Sequence, residues 1–279
     1  MPDIETMAAP TGRVLREDNS TVNWADQLVP EALLNRVLVI LGTTKRSLWP
    51  FWEKTGVLVT GIGAGDLVPS ETGGAAEALE DDFAPLALPS GLFSYHFHPT
   101  GDHHLAGIDH ANYSFATGAF SVGAWIRPNT IVTNVILAKY DSGGNLEEWR
   151  LFIDANGKLS LELHDASESA TEIAVTASAL VPGKMQFVVA TYDGVAATPG
   201  IHLYVDGDDD NPTGASVEAG AFAAMEDTGA PLTIGCSGVT AVPVAEFHGR
   251  IALPFISGKE LTAAEVAELY TLGRGLVGA

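Results

Sequence analysis

The chain has 279 residues, 46% hydrophobic and 18% charged, which is a globular composition with room for one large β domain and an appendage. Its 35 Asp and Glu against 14 Lys and Arg give a formal net charge of −21. That balance excludes nucleic acid and disfavours anionic membranes and polyanionic sugars, leaving a neutral glycan or another protein as partner.

The 30 glycines and 15 prolines fit an all-β fold with many turns better than a helical one. One cysteine, Cys236, permits no intrachain disulfide, and no uninterrupted apolar run has the length of a bilayer span. The opening MPDIETMAAPTGRVLRED has no apolar core and carries acids early. No signal peptide is expected there, and the chain is expected to be made and folded in a cytosol.

In chain order, residues 1 to about 28 are polar, without a period, and read as an extended arm. Pro30 opens PEALLNRVLVIL, where Leu33, Leu34, Val37, Leu38 and Leu41 stand at helical spacing. Pro30 suits a first turn, and Gly42 suits a stop. This helix either packs on its own domain or docks with the arm on a neighbouring subunit. Deleting residues 1–42 is expected to leave the remainder folded but to abolish assembly.

SLWPFWE reads as a short aromatic strand, its proline favouring an edge. The Gly-, Ala- and acid-rich stretch that follows reads as loop. Its GIGAGD run lacks the strand–turn–helix context of a dinucleotide site. From Gly91 onward, FSVGAWIRP, VILAKY, WRLFID, LSLELHD, TEIAVTA, MQFVVATYD, IHLYVDG, PLTIG and FHGRIALPFIS are short strands separated by turns such as ANGK. Strands at this spacing predict an antiparallel sandwich or barrel. LTAAEVAELYTLG closes the chain as a helix, with Thr262 and Glu265 as a capping box.

Four stretches, SLWPFWEKTG, YHFHPTGDHHLAG with FSVGAWIRP, MQFVVATYDG with GIHLYVDG, and FHGRIALPFISGKELTAAEVAELYTLG, resemble in this order the laminin-G-like jelly rolls of the concanavalin A-like superfamily. The likeness covers about residues 46–274. It implies an all-β, two-sheet antiparallel sandwich over 44–279, with an N-terminal arm and helix over 1–43 for assembly. It also implies a concave face or rim loops as the place for ligands. Lectin-like modules, protein-binding modules and bacteriophage virion proteins all use this fold.

Several constellations carry candidate chemistry. HFHPTGDHHLAGIDH holds His96, His98, His103, His104 and His110 with Asp102 and Asp109, a set of zinc-type ligands or an ordinary strand and turn. DGDDDNPTG fails as an EF-hand, because Asn211 and Val217 stand where Gly and Glu are required. The resemblance implies rim carboxylates for calcium, with Asp141, Asp206 and Asp208 as candidates. For sugar stacking Trp49, Trp52, Trp125 and Trp149 are available, and Trp149, after the DSGGNLEE turn, is the rim candidate, with core packing as the competing reading. LEEWRLFID and LELHD lack the paired-acid spacing of a glycosidase, and no nucleophile elbow is present, so no catalytic residue is expected. A non-enzymatic protein of a tailed-phage virion is the predicted function. It would associate with other virion proteins through the arm and helix, as a homo-oligomer in the particle, and contact a host-surface glycan. A free lectin, or a capsid decoration protein without glycan binding, is the alternative.

Overall fold

The alternation in the second half of the sequence becomes paired strands. The structure is a computed structural model, which describes residues 24–51, 59, 61–63, 65–70, 86–98, 103–195, 200–211, 216–239 and 244–279. The arm 1–23, Trp52 and Asp102 lie outside these residues.

The described strands begin with β1 (Ser47–Leu48), β2 (Val68–Ser70), β3 (Leu86–Ala87), β4 (Phe93–Phe97) and β5 (His104–Ala106). Then come β6 (Phe120–Pro128), β7 (Asn134–Asp141), β8 (Leu146–Ile153), β9 (Lys158–Asp165), β10 (Ala170–Ala179) and β11 (Gln186–Tyr192). The series ends with β12 (Ile201–Val205), β13 (Asp208–Asp209), β14 (Ser216–Ala219), β15 (Leu232–Ile234) and β16 (Gly249–Ser257). Among the described residues two helices, α1 (Trp24–Leu41) and α2 (Ala263–Val277), flank them in the chain. Among the described residues of SLWPFWE the strand is the two-residue β1, and the stretch expected as loop contains β2 and β3.

All pairings are antiparallel and form two sheets. The first runs β13-β12-β11-β6-β16-β4-β3, with β1 also on β16, and the second runs β14-β10-β9-β8-β7-β15-β5-β2. Side chains alternate along each strand, so one face of each sheet turns inward. Phe120, Val122, Ile126, Ile251 and Phe97 of the first sheet meet Leu137, Trp149, Leu151, Leu161 and Leu163 of the second in the main core. This is the two-sheet sandwich expected from the sequence.

The outer faces differ. On the first sheet Trp125, Phe187, Val189 and Phe255 form a second core with α1 and α2. Leu34, Val37, Leu38, Ile40 and Leu41 of α1 are buried there. The last turns of α1 therefore pack on their own sandwich. Arg46 Nη1 donates to the Leu38 and Gly42 carbonyls at 3.0 and 3.1 Å, and Ser257 Oγ donates to the Leu41 carbonyl at 2.8 Å, satisfying acceptors left open at a helix end. The helix begins at Trp24, so Pro30 lies inside it rather than in its first turn. Gly42 takes the left-handed φ of 79° that ends it.

α2 crosses Trp125 closely. A Cβ at Gly273 would stand 2.3 Å from Trp125 Nε1, so only glycine permits this approach, and Tyr270 stacks on the indole at 5.6 Å. The predicted capping box is present. Thr262 Oγ1 accepts from the Glu265 N–H, and the Glu265 carboxylate accepts from the Thr262 N–H at 3.0 Å. Thr262→Ala is expected to cost about 1 kcal/mol in a urea melt with an unchanged slope. A loss below a few tenths would show that packing alone holds α2.

Candidate functional site

The sequence candidates fall apart in space. Asp141 is 1% exposed at the end of β7, where its carboxylate accepts from the Gly143 and Val239 N–H groups at 3.1 and 3.3 Å. Asp206 and Asp208 lie at the β12–β13 hairpin on the edge of the other sheet. Asp206 accepts from the Phe187 N–H at 2.9 Å and pairs with Lys184 at 2.6 Å, while Asp208 is exposed. The three aspartates are thus not one ligand set. Asp141 and Asp206 tie turns together, and among the described residues no three His, Cys, Asp or Glu side chains are placed to hold a metal ion.

Trp149 is fully buried, and its indole N–H donates to the Tyr113 carbonyl at 2.8 Å. A ring with no exposed surface cannot stack on a sugar, so core packing is the role the structure gives it. Trp49 and Trp125 are likewise buried. Of the histidines, His96, His98 and His248 gather on the first sheet, with ring centroids 5.1–6.4 Å apart. His103 and His104 are buried at the start of β5, and His110 is exposed.

A bulge between β7 and β8 decides two further positions. The pairing steps from Lys139↔Trp149 to Tyr140↔Glu147, leaving Glu148 as the extra residue. Glu148 thereby reaches the fully buried Lys139, with Nζ to Oε1 at 2.5 Å, and accepts from the Thr228 N–H at 2.9 Å. Asp109 adds a second carboxylate to Lys139 at 2.9 Å. Burial pushes the Glu148 carboxyl above its ordinary range, with Lys139 and Thr228 opposing the rise. This is an internal ion pair beside the core.

The same bulge leaves Tyr140 and Glu147 on the outer face of the second sheet, which among the described residues carries no helix. Register places Ala138, Arg150, Glu162 and Ile173 in one row across β7 to β10, with Val135, Phe152, Ser160 and Val175 in a neighbouring row. Val135, Ala138, Tyr140 and Phe152 form an apolar cluster separate from both cores, with Ala245 against it.

On that floor the Arg150 guanidinium lies between two rings, 4.5 Å from the Tyr140 centroid and 4.7 Å from that of Phe152. Its Nε and Nη2 donate to Glu162 Oε2 at 2.9 and 2.6 Å. His164 Nε2 stands 3.6 Å from Glu147 Oε2, and the His164 ring meets Tyr140 edge-on at 6.2 Å. Burial pushes the Tyr140 phenol up to about 12, Arg150 opposing and Glu162 and Glu147 adding to the rise. The phenol is therefore a neutral donor at physiological pH.

The result is a plaque of planar groups and paired, neutralised charges, partly open to solvent. It offers carboxylate acceptors and guanidinium, phenol and imidazole donors, with the Tyr140 and Phe152 rings 9% and 8% exposed beneath Arg150. The acids of LEEWRLFID and LELHD, taken as a pair, do not reveal this face. The signal was in their alternation, which puts Arg150 with Phe152 and Glu162 with His164 on one face.

Known proteins place the architecture. No curated protein matches the sequence. Among solved structures, the ligand-binding domain of botulinum neurotoxin serotype D in complex with N-acetylneuraminic acid superposes with a TM-score of 0.53 at 14% identity, over 85% of this chain and 52% of that one. The binding domain of paraclostridial mosquitocidal protein 1 gives 0.52 at 12%, over 73% of this chain and 51% of that one. Domain 4 of AbnA, an extracellular arabinanase from Geobacillus stearothermophilus in complex with arabinotriose, gives 0.52 at 12%, over 75% of this chain and 89% of that one. The chain spans about half the length of the toxin domains it matches, and at these identities the likeness is one of fold. The sequence model described as the concanavalin A-like lectin/glucanases superfamily matches residues 101–267, more than half of the chain, and the protein belongs to that family.

Proposed function

We propose that the protein is a non-catalytic, lectin-like recognition module that binds a neutral glycan on the outer face of its second sheet. The Tyr140–Arg150–Phe152 stack, with Glu147, Glu162 and His164 around it, carries this reading. Its charges are internally paired, which suits a ligand rich in hydroxyls rather than in charge. Three of the structural relatives are named as binding domains or were solved with a saccharide, which supports the same reading.

We further propose that the module is displayed on a tailed-phage particle, anchored by the segment preceding α1 and repeated as a homo-oligomer. The support is a recognition fold with a single cysteine, which needs no oxidising compartment to mature. Proteins of a particle reach the outside by cell lysis.

A glycan array followed by calorimetry tests the face. Saturable binding of a neutral oligosaccharide is expected, weakened about tenfold or more by Arg150→Gln or Tyr140→Ala at unchanged stability-corrected concentration. Undiminished binding in both variants, or no saturable ligand, would sink the reading. Deletion of residues 1–23, with α1 kept, tests the anchor. Retained incorporation into particles would remove that part alone.

A further inference from the structure

The outer face of the first sheet is not wholly covered by helices. On the face of β6 that carries Trp125, the next two outward residues are Arg127 and Asn129, both exposed. Register sets Arg250 of β16 directly beside Arg127 on one side and beside His96 of β4 on the other. One step further, the Asn129 N–H donates to the His248 carbonyl at 2.8 Å. His98 brings its ring to 5.1 Å from that of His248. Six side chains thus form a two-by-three array over three adjacent strands.

Part of the chain's positive charge is paired with its abundant acids. The chain carries 35 acids to 14 Lys and Arg, and Arg36, Lys139, Arg150, Lys184 and Lys259 each sit against a carboxylate. Arg127 and Arg250 make no ion pair among the described residues. Arg127 Nε donates to the Gly183 carbonyl at 2.6 Å instead. Two like charges directly opposite each other on neighbouring strands are destabilising, and Arg250 Nη1 is in addition buried with no hydrogen-bond partner.

We propose that Arg127, Arg250, His96, His98, His248 and Asn129 form a binding site for an oxyanion, the carboxylate or phosphate group of a small ligand. An oxyanion lying over the array removes the repulsion between the guanidiniums. Guanidinium geometry favours two-pronged recognition of such groups. A divalent cation would meet the two arginines at the same place and be repelled. The site is on the sheet opposite the recognition face and does not depend on it.

The imidazoles give the site a pH response. Burial lowers the His96 pKa, and Arg250, His98, His248 and His103 lower it further; burial and then His98 lower that of His248. A bound anion favours the charged imidazole and raises both values, so binding takes up protons. Affinity therefore rises as pH falls from 8 toward the lowered histidine pKa values.

Titration of the full chain at constant ionic strength tests this, with inorganic phosphate and glucuronate as probes and histidine ring NMR signals as readout. Expected are saturable shifts of the His96, His98 and His248 signals, tighter at pH 6 than at pH 8. Affinity should be about tenfold weaker in Arg250→Gln and in Arg127→Gln and unchanged in Arg36→Gln. The tighter of the two probes identifies the group, carboxylate or phosphate. Arg250→Gln should melt no lower than the parent, because the repulsion is gone. A response that is linear in probe, equal in all variants, or absent overturns the site. So does a marked loss of stability in both arginine variants without change in binding, which would make the arginines structural.

Discussion

Deleting residues 1–42 is expected to abolish cooperative folding of the sandwich. Five side chains of α1, Leu34, Val37, Leu38, Ile40 and Leu41, are at most 7% exposed. Full burial of a large aliphatic side chain stabilises by about 1.5–3 kcal/mol. The five together supply on the order of 8–15 kcal/mol, an upper range because unfolded chains already bury some surface. That is comparable to the whole stability of a domain, about 5–15 kcal/mol. The loss also strips cover from Leu48, Trp125 and Phe255 on the first sheet, with α2 left to shield them alone. Urea melts of the truncated and full chains, followed by far-UV circular dichroism and dye binding, measure the effect. A truncated protein that still melts cooperatively within about 2 kcal/mol of the parent would show α1 to be a detachable docking element.

The second large effect is expected at Lys139. Its ammonium is completely buried against Glu148, with Asp109 also in contact, and Glu148 Oε2 has no hydrogen-bond partner. Lys139→Met leaves the Glu148 carboxylate without its cation. Breaking a buried pair from one side costs about 3–5 kcal/mol. The sign of the pH dependence follows from the Glu148 carboxyl, already raised by burial and raised further without Lys139. A raised acid pKa means that the folded state binds more protons than the unfolded one. The variant's deficit is therefore largest near pH 7 and shrinks as pH falls toward 5. Lys139→Met with Glu148→Leu should recover most of the loss, since an apolar replacement of both partners is tolerated. Equal melts for single variant and parent, or a deficit that does not change with pH, would mean that the ion pair contributes nothing net.

Periodicity carries this protein's fold class. The two-residue alternation of FSVGAWIRP, WRLFID, LSLELHD and MQFVVATYD specifies half-buried strands, because successive side chains must point to opposite faces. The order of those strands suffices to place the family. Thr262 and Glu265 specify the start of α2 by local hydrogen bonds alone. The spacing of Leu34, Val37, Leu38 and Leu41 likewise shows that α1 buries a face. It does not say on what, since an apolar stripe has the same pattern whether it covers its own sheet or a neighbour.

Function-bearing groups depended on register, which is a tertiary quantity. Trp149 after a turn has the same sequence environment whether it faces the rim or the core; the bulge at Glu148 decides it. Asp141, Asp206 and Asp208 look alike in sequence, but the topology sends them to different sheets. Arg127, Arg250 and His96 are far apart in the chain and become neighbours only where β6, β16 and β4 pair. Alternation tells which face a residue takes, because it is set by each strand's own backbone. Which residue stands beside it is set by long-range pairing, and there the sequence by itself is silent.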